Sequence, residues 1–68
     1  MTTQTVEARF ITAVETGSTR KQLAVIYAEA LRDGQEHDWR AMNHAVLTRF
    51  SMSGLSQIKK WAWGENVS

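Results

Sequence analysis

The sequence predicts an all-α fold, a compact domain of three or four helices, and three observations carry that prediction. None of the 68 residues is proline, so nothing interrupts a helix by removing an amide donor and clashing with the preceding turn. Ala, Leu, Glu, Gln, Arg and Lys, which lose least on entering a helix, recur along the whole chain. Apolar residues return every three or four positions, the period of a helix packed along one side.

The first helix is expected from about Thr3 to Thr16. Val6, Phe10, Ala13 and Val14 form its apolar stripe, Ile11 widens that stripe, and Gly17 supplies the left-handed residue on which helices commonly stop. The second is expected over 19–33. Thr19 and Gln22 have the spacing of a capping box, Leu23, Ile26, Tyr27, Ala30 and Leu31 form the stripe, and Asp33-Gly34 ends it. Lys21, Gln22, Glu29 and Arg32 fall on its solvated side.

"GQEHD", residues 34–38, reads as a loop whose last residue can cap the next helix, since the Asp38 carboxylate can accept from an otherwise unpaired amide. The third helix is expected over 38–50, with Trp39, Met42, Val46 and Phe50 in one stripe. Ser51-Met52-Ser53 is the next break. Ser53 is the expected cap of a fourth helix over 54–63, closed by Gly64, with Leu55, Ile58 and Ala62 inward and the "ENVS" tail frayed.

A domain of this size buries only about 60% of its unfolded surface. The chain has no cysteine, so disulfides and thiolate zinc sites are excluded, and helix packing and self-association are the reinforcements left. A homodimer is therefore expected, with Val6, Phe10, Ile11 and Val14 as its face. "MTTQTVEARF" lacks the basic and apolar segments of a secretory leader, and no stretch approaches the roughly 18 apolar residues of a membrane span. The expectation is a cytoplasmic protein with no membrane partner. Lys59, Lys60 and the tryptophans make too short a run for an amphipathic anchor.

Charge is balanced overall and uneven along the chain. Residues 1–38 hold Arg9, Arg20, Lys21 and Arg32 against six acids, whereas residues 39–68 hold Arg40, Arg49, Lys59 and Lys60 against Glu65 alone. A basic carboxyl-terminal half can present a local positive surface even when the net charge is near zero.

Residues 39–63 give a helix of about three turns, a break with an apolar middle residue, and a short helix with hydroxyls at its start. This arrangement resembles the helix-turn-helix of small phage and bacterial DNA-binding proteins. The resemblance implies that Ala45 or Val46 faces inward from the supporting helix, that Met52 is the apolar turn residue, and that Ile58 anchors the recognition helix. Ser51 stands where the family usually has glycine, and the spacing from Ser53 to Ile58 is one residue longer than the family's.

On that resemblance Ser53, Ser56, Gln57 and Lys60 face DNA, the glutamine suited to adenine, the lysine to guanine or phosphate, and the serines to phosphate. Arg40, Arg49 and Lys59 supply flanking backbone contacts. A two-fold dimer reading successive major grooves would hold its fourth helices about 34 Å apart. "TRKQLAVIYAEAL" also begins like a supporting helix, but Ala28 to Arg32 continue the helix where the motif requires a break.

The alternative expectation is a helical protein-interaction module that docks on a larger protein and alters its activity. Trp61 and Trp63 are two apart and so point about 200° from one another, which leaves one of them exposed, without deciding which, and makes Trp63 a candidate partner anchor. His37 and His44 are seven apart, too far for one metal on one helix. No paired carboxylates fall on a convincing inward face, and no phosphate-binding glycine loop or serine with an evident base and orienting acid occurs. The expectation is a non-enzyme without metal, cofactor or small-molecule substrate.

Overall fold

The computed structural model describes residues 5–67, with side chains as far as residue 64. It is all-α: α1 spans Val6–Thr16, α2 Arg20–Arg32, α3 Trp39–Arg49 and α4 Met52–Val67. The expected start of the first helix at Thr3 lies outside the described residues. The helix ends follow local chemistry. Thr5 Oγ1 accepts the Ala8 amide at 3.0 Å, Asp38 Oδ1 accepts that of Ala41 at 3.0 Å, and Thr19 and Gln22 form both bonds of the capping box. Gly17, at φ 96°, lets its own amide and that of Ser18 return to the carbonyls of Val14 and Ala13, satisfying two acceptors that α1 would otherwise leave open.

The four helices pack as a ring, α1 against α2, α2 against α4, α4 against α3 and α3 against α1, with the most extensive contact between α2 and α4. Phe10, Leu23, Met42, Val46 and Ile58 fill the middle and are fully buried. Ala24, Ala28 and Ala30 are buried on α2, where short side chains let neighbouring helices approach closely. Phe10 and Tyr27 meet edge-on at 5.7 Å between ring centres, and Tyr27 lies 5.3 Å from Trp39. Burial raises the Tyr27 phenol above its ordinary pKa.

Two polar clamps fix α1 to α3. At one end Glu7 Oε2 accepts the Asp38 amide at 3.0 Å, and at the other Arg49 Nη1 donates to the carbonyls of Val14 and Ser18 at 2.7 and 3.2 Å. Starts therefore meet starts and ends meet ends, so the two helices run parallel. Parallel helices set like ends of their dipoles together. Glu7 puts a negative charge at the paired amino ends and Arg49 a positive one at the paired carboxyl ends, the arrangement that offsets this repulsion.

The fourth helix departs from expectation at both ends. It begins at Met52, with the Leu55 amide bonded to the Ser51 carbonyl at 3.1 Å, so Ser53 lies inside the first turn and is not the cap. Phe50, in extended conformation at φ −122°, ends α3, which leaves only Phe50 and Ser51 to reverse the chain. Gly54 makes this tight joint possible: a Cβ on it would stand 2.8 Å from the Cβ of Phe50. At the far end Gly64 does not stop the helix. It lacks the positive φ found at Gly17 and Gly34, and α4 continues to Val67.

Candidate functional site

The inward side of α4 is Gly54, Leu55, Ile58 and Ala62, all buried. Those positions recur at three and four residues and leave the opposite side to solvent. Ser53, Ser56 and Lys60 are exposed there at i, i+3 and i+7, while Gln57 and Lys59 are half-buried at the flanks. Met52 and Trp63 are the most open large apolar residues of the helix, with 65% and 53% of their surface accessible. Eleven residues are three helical turns to within about 20°. Met52 and Trp63 therefore stand on the same side, at opposite ends of the exposed face. Trp61 is also accessible, at 37%, so both tryptophans of the pair face solvent.

Several residues expected to join this face do not. Arg49 is bound to the end of α1, and its guanidinium also lies 4.7 Å from the centre of the Phe50 ring. Its Nη1 closes the end of α1. Arg40 belongs to a different surface, where it lines a groove of about 440 Å³ between α1 and α3 with Ile11, Asp38, Ala41, His44 and Ala45.

Met52, expected as the apolar turn residue, is the exposed first residue of α4, and Phe50 fills the turn by packing over Gly54. Ile58 and Val46 are fully buried. The apolar turn position thus moves from Met52 to Phe50, because reversal over two residues brings the end of α3 against the start of α4.

The expected dimer face is corrected as well. Phe10 and Val14 belong to the interior of the single chain, and Ile11 and Val6 are half-buried. Phe10 faces inward because the side of α1 that it occupies is covered by α2 and its Tyr27. Periodicity marks a stripe as apolar and is silent on which neighbour covers it.

A second polar cluster sits at the loop between α2 and α3. His37 Nε2 lies 2.9 Å from both oxygens of the Asp33 carboxylate, only 3% of the histidine side chain is exposed, and its ring meets Trp39 edge-on at 5.6 Å. The Gln35 amide donates to Asp33 Oδ1 at 3.0 Å. Chiefly through that amide, and further through His37, the Asp33 carboxyl is held below its ordinary pKa against an opposing effect of burial. His44 is exposed on α3, remote in role from this pair. Among the described residues no three metal-ligating side chains converge. The cluster ties the loop to the end of α2.

Comparisons with protein families, with curated proteins and with solved structures returned no match. Met52 was the signal least visible in the sequence, because its place in the expected break hides that it begins α4 on the exposed side.

Proposed function

We propose that the protein is a small non-enzymatic interaction module that docks on a larger protein through the outer face of α4. The observation that carries this reading is the pair Met52 and Trp63, large, apolar, exposed and on one side of a helix whose other side is fully packed. A side chain such as tryptophan, with a broad apolar surface and few rotatable bonds, is a common energetic centre of protein interfaces. Lys59 and Lys60 beside it add charge that orients a partner more than it adds affinity. Recovery from cells of the protein's own source should yield one defined protein with the unaltered chain. It should fail with Trp63→Glu or Met52→Glu, whose circular dichroism should be unchanged. Equal recovery with these variants would overturn the reading.

A second reading, a DNA-binding regulator resembling helix-turn-helix proteins, draws on Ser53, Ser56 and Lys60, an exposed acid-free row on the helix that follows a tight turn. Lys59 and Lys60 are the cations of α4 itself, while Arg49 stands at the end of α3 with one nitrogen bonded to carbonyls and Arg40 borders another groove. In this reading the chain shifts a mixed-sequence duplex at low salt, binding falls steeply as salt rises, and Lys60→Ala flattens that dependence by about one phosphate contact. No shift at any salt concentration removes it.

A further inference from the structure

We infer that a second copy of this chain docks on the groove between α1 and α3, turned end for end about a two-fold axis, so that Glu15 of each copy meets Arg40 of the other. The inference is independent of docking through α4, which does not line this groove. Its first basis is shape. The groove holds about 440 Å³, with half-buried Ile11 beside Ala41 and Ala45, Arg40 and His44 along the rim and Asp38 at one end. The short alanine side chains leave room for an apolar group over Ile11, and Ile11 of a second copy is such a group. Of the four residues expected at a dimer face, Ile11 is the one that lines this groove.

The second basis is a pair of charges at the wrong ends of their helices. Glu15 is exposed in the last turn of α1, and Arg40 is exposed in the first turn of α3. A helix disfavours an anion at its carboxyl end and a cation at its amino end. Neither side chain has an ion-pair partner among the described residues. The neighbouring charges have backbone partners instead: Asp38 Oδ1 accepts the Ala41 amide, Glu7 Oε2 accepts that of Asp38, and Arg49 Nη1 donates to the carbonyls of Val14 and Ser18.

The parallel course of α1 and α3 sets the geometry. Glu7 meets the Asp38 amide, so Ile11, one turn further along α1, stands about level with Met42 on α3. Arg40 comes before that level and Glu15 after it, and Glu15 shares the side of Ile11 as its i+4 neighbour. In a two-fold pair, residue i meets j wherever j meets i. A copy reversed about Ile11 therefore brings its Arg40 to Glu15 and its Glu15 to Arg40. A copy set the same way round brings like charge to like. Reversal also lays the dipoles of the copy against those of α1 and α3, which run side by side in one direction.

The test is sedimentation equilibrium of the full chain at low salt, over a series of concentrations. The unaltered chain should show a concentration-dependent dimer. Glu15→Arg and Arg40→Glu each set like charges together at both ends of the groove and should weaken the dimer on the order of tenfold or more. Each also puts the favoured charge at its own helix end, so circular dichroism should show both variants folded. Mixed in equal amounts, the two variants should recover the dimer, because both ends of the groove then pair opposite charges. The double variant Glu15→Arg, Arg40→Glu should dimerise as the unaltered chain does.

A monomeric mass at every concentration up to about 1 mM overturns the inference. So does a dimer indifferent to both single variants, or a mixture of them that stays monomeric. A dimer lost with Trp63→Glu and kept with Glu15→Arg places the contact on α4 and overturns it as well.

Discussion

Arg49 and Lys60 lie eleven residues apart, one in the last turn of α3 and the other in the middle of α4, and carry the same charge in the same acid-free stretch. Arg49 is held at 2.7 Å from the Val14 carbonyl and closes the end of a helix distant in sequence, whereas Lys60 is exposed on a face that none of the described residues covers. The difference lies in what surrounds each residue and not in residue type. α3 runs parallel to α1, so its carboxyl end meets carbonyls that need a donor. α4 turns its corresponding side to solvent. The contrast extends to whole helices: α1 and α3 are fastened at both ends by Glu7 and Arg49, while α4 is fixed by apolar packing along its inner side and is open along the outer one.

The largest effect on this contrast should come from the inner side of α4. Ile58→Ala removes a fully buried side chain and should cost about 2–5 kcal/mol, which in a domain this small brings unfolding close to ambient temperature. Thermal melts measure it, and a loss under about 1 kcal/mol would mean that α4 is not integral to the core. Next, Arg49→Ala should cost about 1–2 kcal/mol, because two carbonyls lose a charged donor. Lys60→Ala should change stability by less than about 0.5 kcal/mol. Chemical denaturation of the two variants side by side tests the comparison directly, and equal losses would break it.

The two glycines of α4 sharpen it further. Gly54→Ala drives a methyl to 2.8 Å from the Phe50 Cβ and should destabilise by about 1–3 kcal/mol, as overpacking does. Gly64→Ala meets open space within the helix and should stabilise by about 0.5–1 kcal/mol. Opposite signs are the expected outcome. A destabilising Gly64→Ala would show that the helix does not continue beyond residue 64.

The smallest effect concerns the loop before α3. The folded-state pKa of Asp33 is depressed, so its contribution is present above the ordinary value of 3.8 and is lost as pH falls through the lower folded-state value. Asp33→Asn should therefore flatten the acid side of a stability–pH curve. An acid limb identical to that of the unaltered chain would remove Asp33 from the account.

The all-α class, the boundaries of α2 and the caps at Thr19 and Asp38 were legible because they depend on residues within one turn of each other. The inward assignment of Val46, Leu55, Ile58 and Ala62 was legible too, since the 3.6-residue period places them together whatever they pack against. The start of α4 was not. Ser51 and Ser53 are both plausible caps by type, and the choice between them depends on how closely Phe50 can approach Gly54 once α3 and α4 fold back. That α2 rather than a second chain covers Phe10 was unreadable for a similar reason, since the apolar stripe of α1 does not name its neighbour.

By itself, then, the sequence determined four helices, most of their limits and the stripe each one buries, because hydrogen-bonded turns and side-chain periodicity are settled over a few residues. Only the tertiary structure decided that Arg49 is a fastening, that Arg40 borders another groove, that Phe10 and Val14 are covered within the single chain and that Met52 and Trp63 share one open face. Those outcomes depend on which helix lies beside which, and groups 20 to 35 residues apart in the chain meet only after the ring of helices has closed.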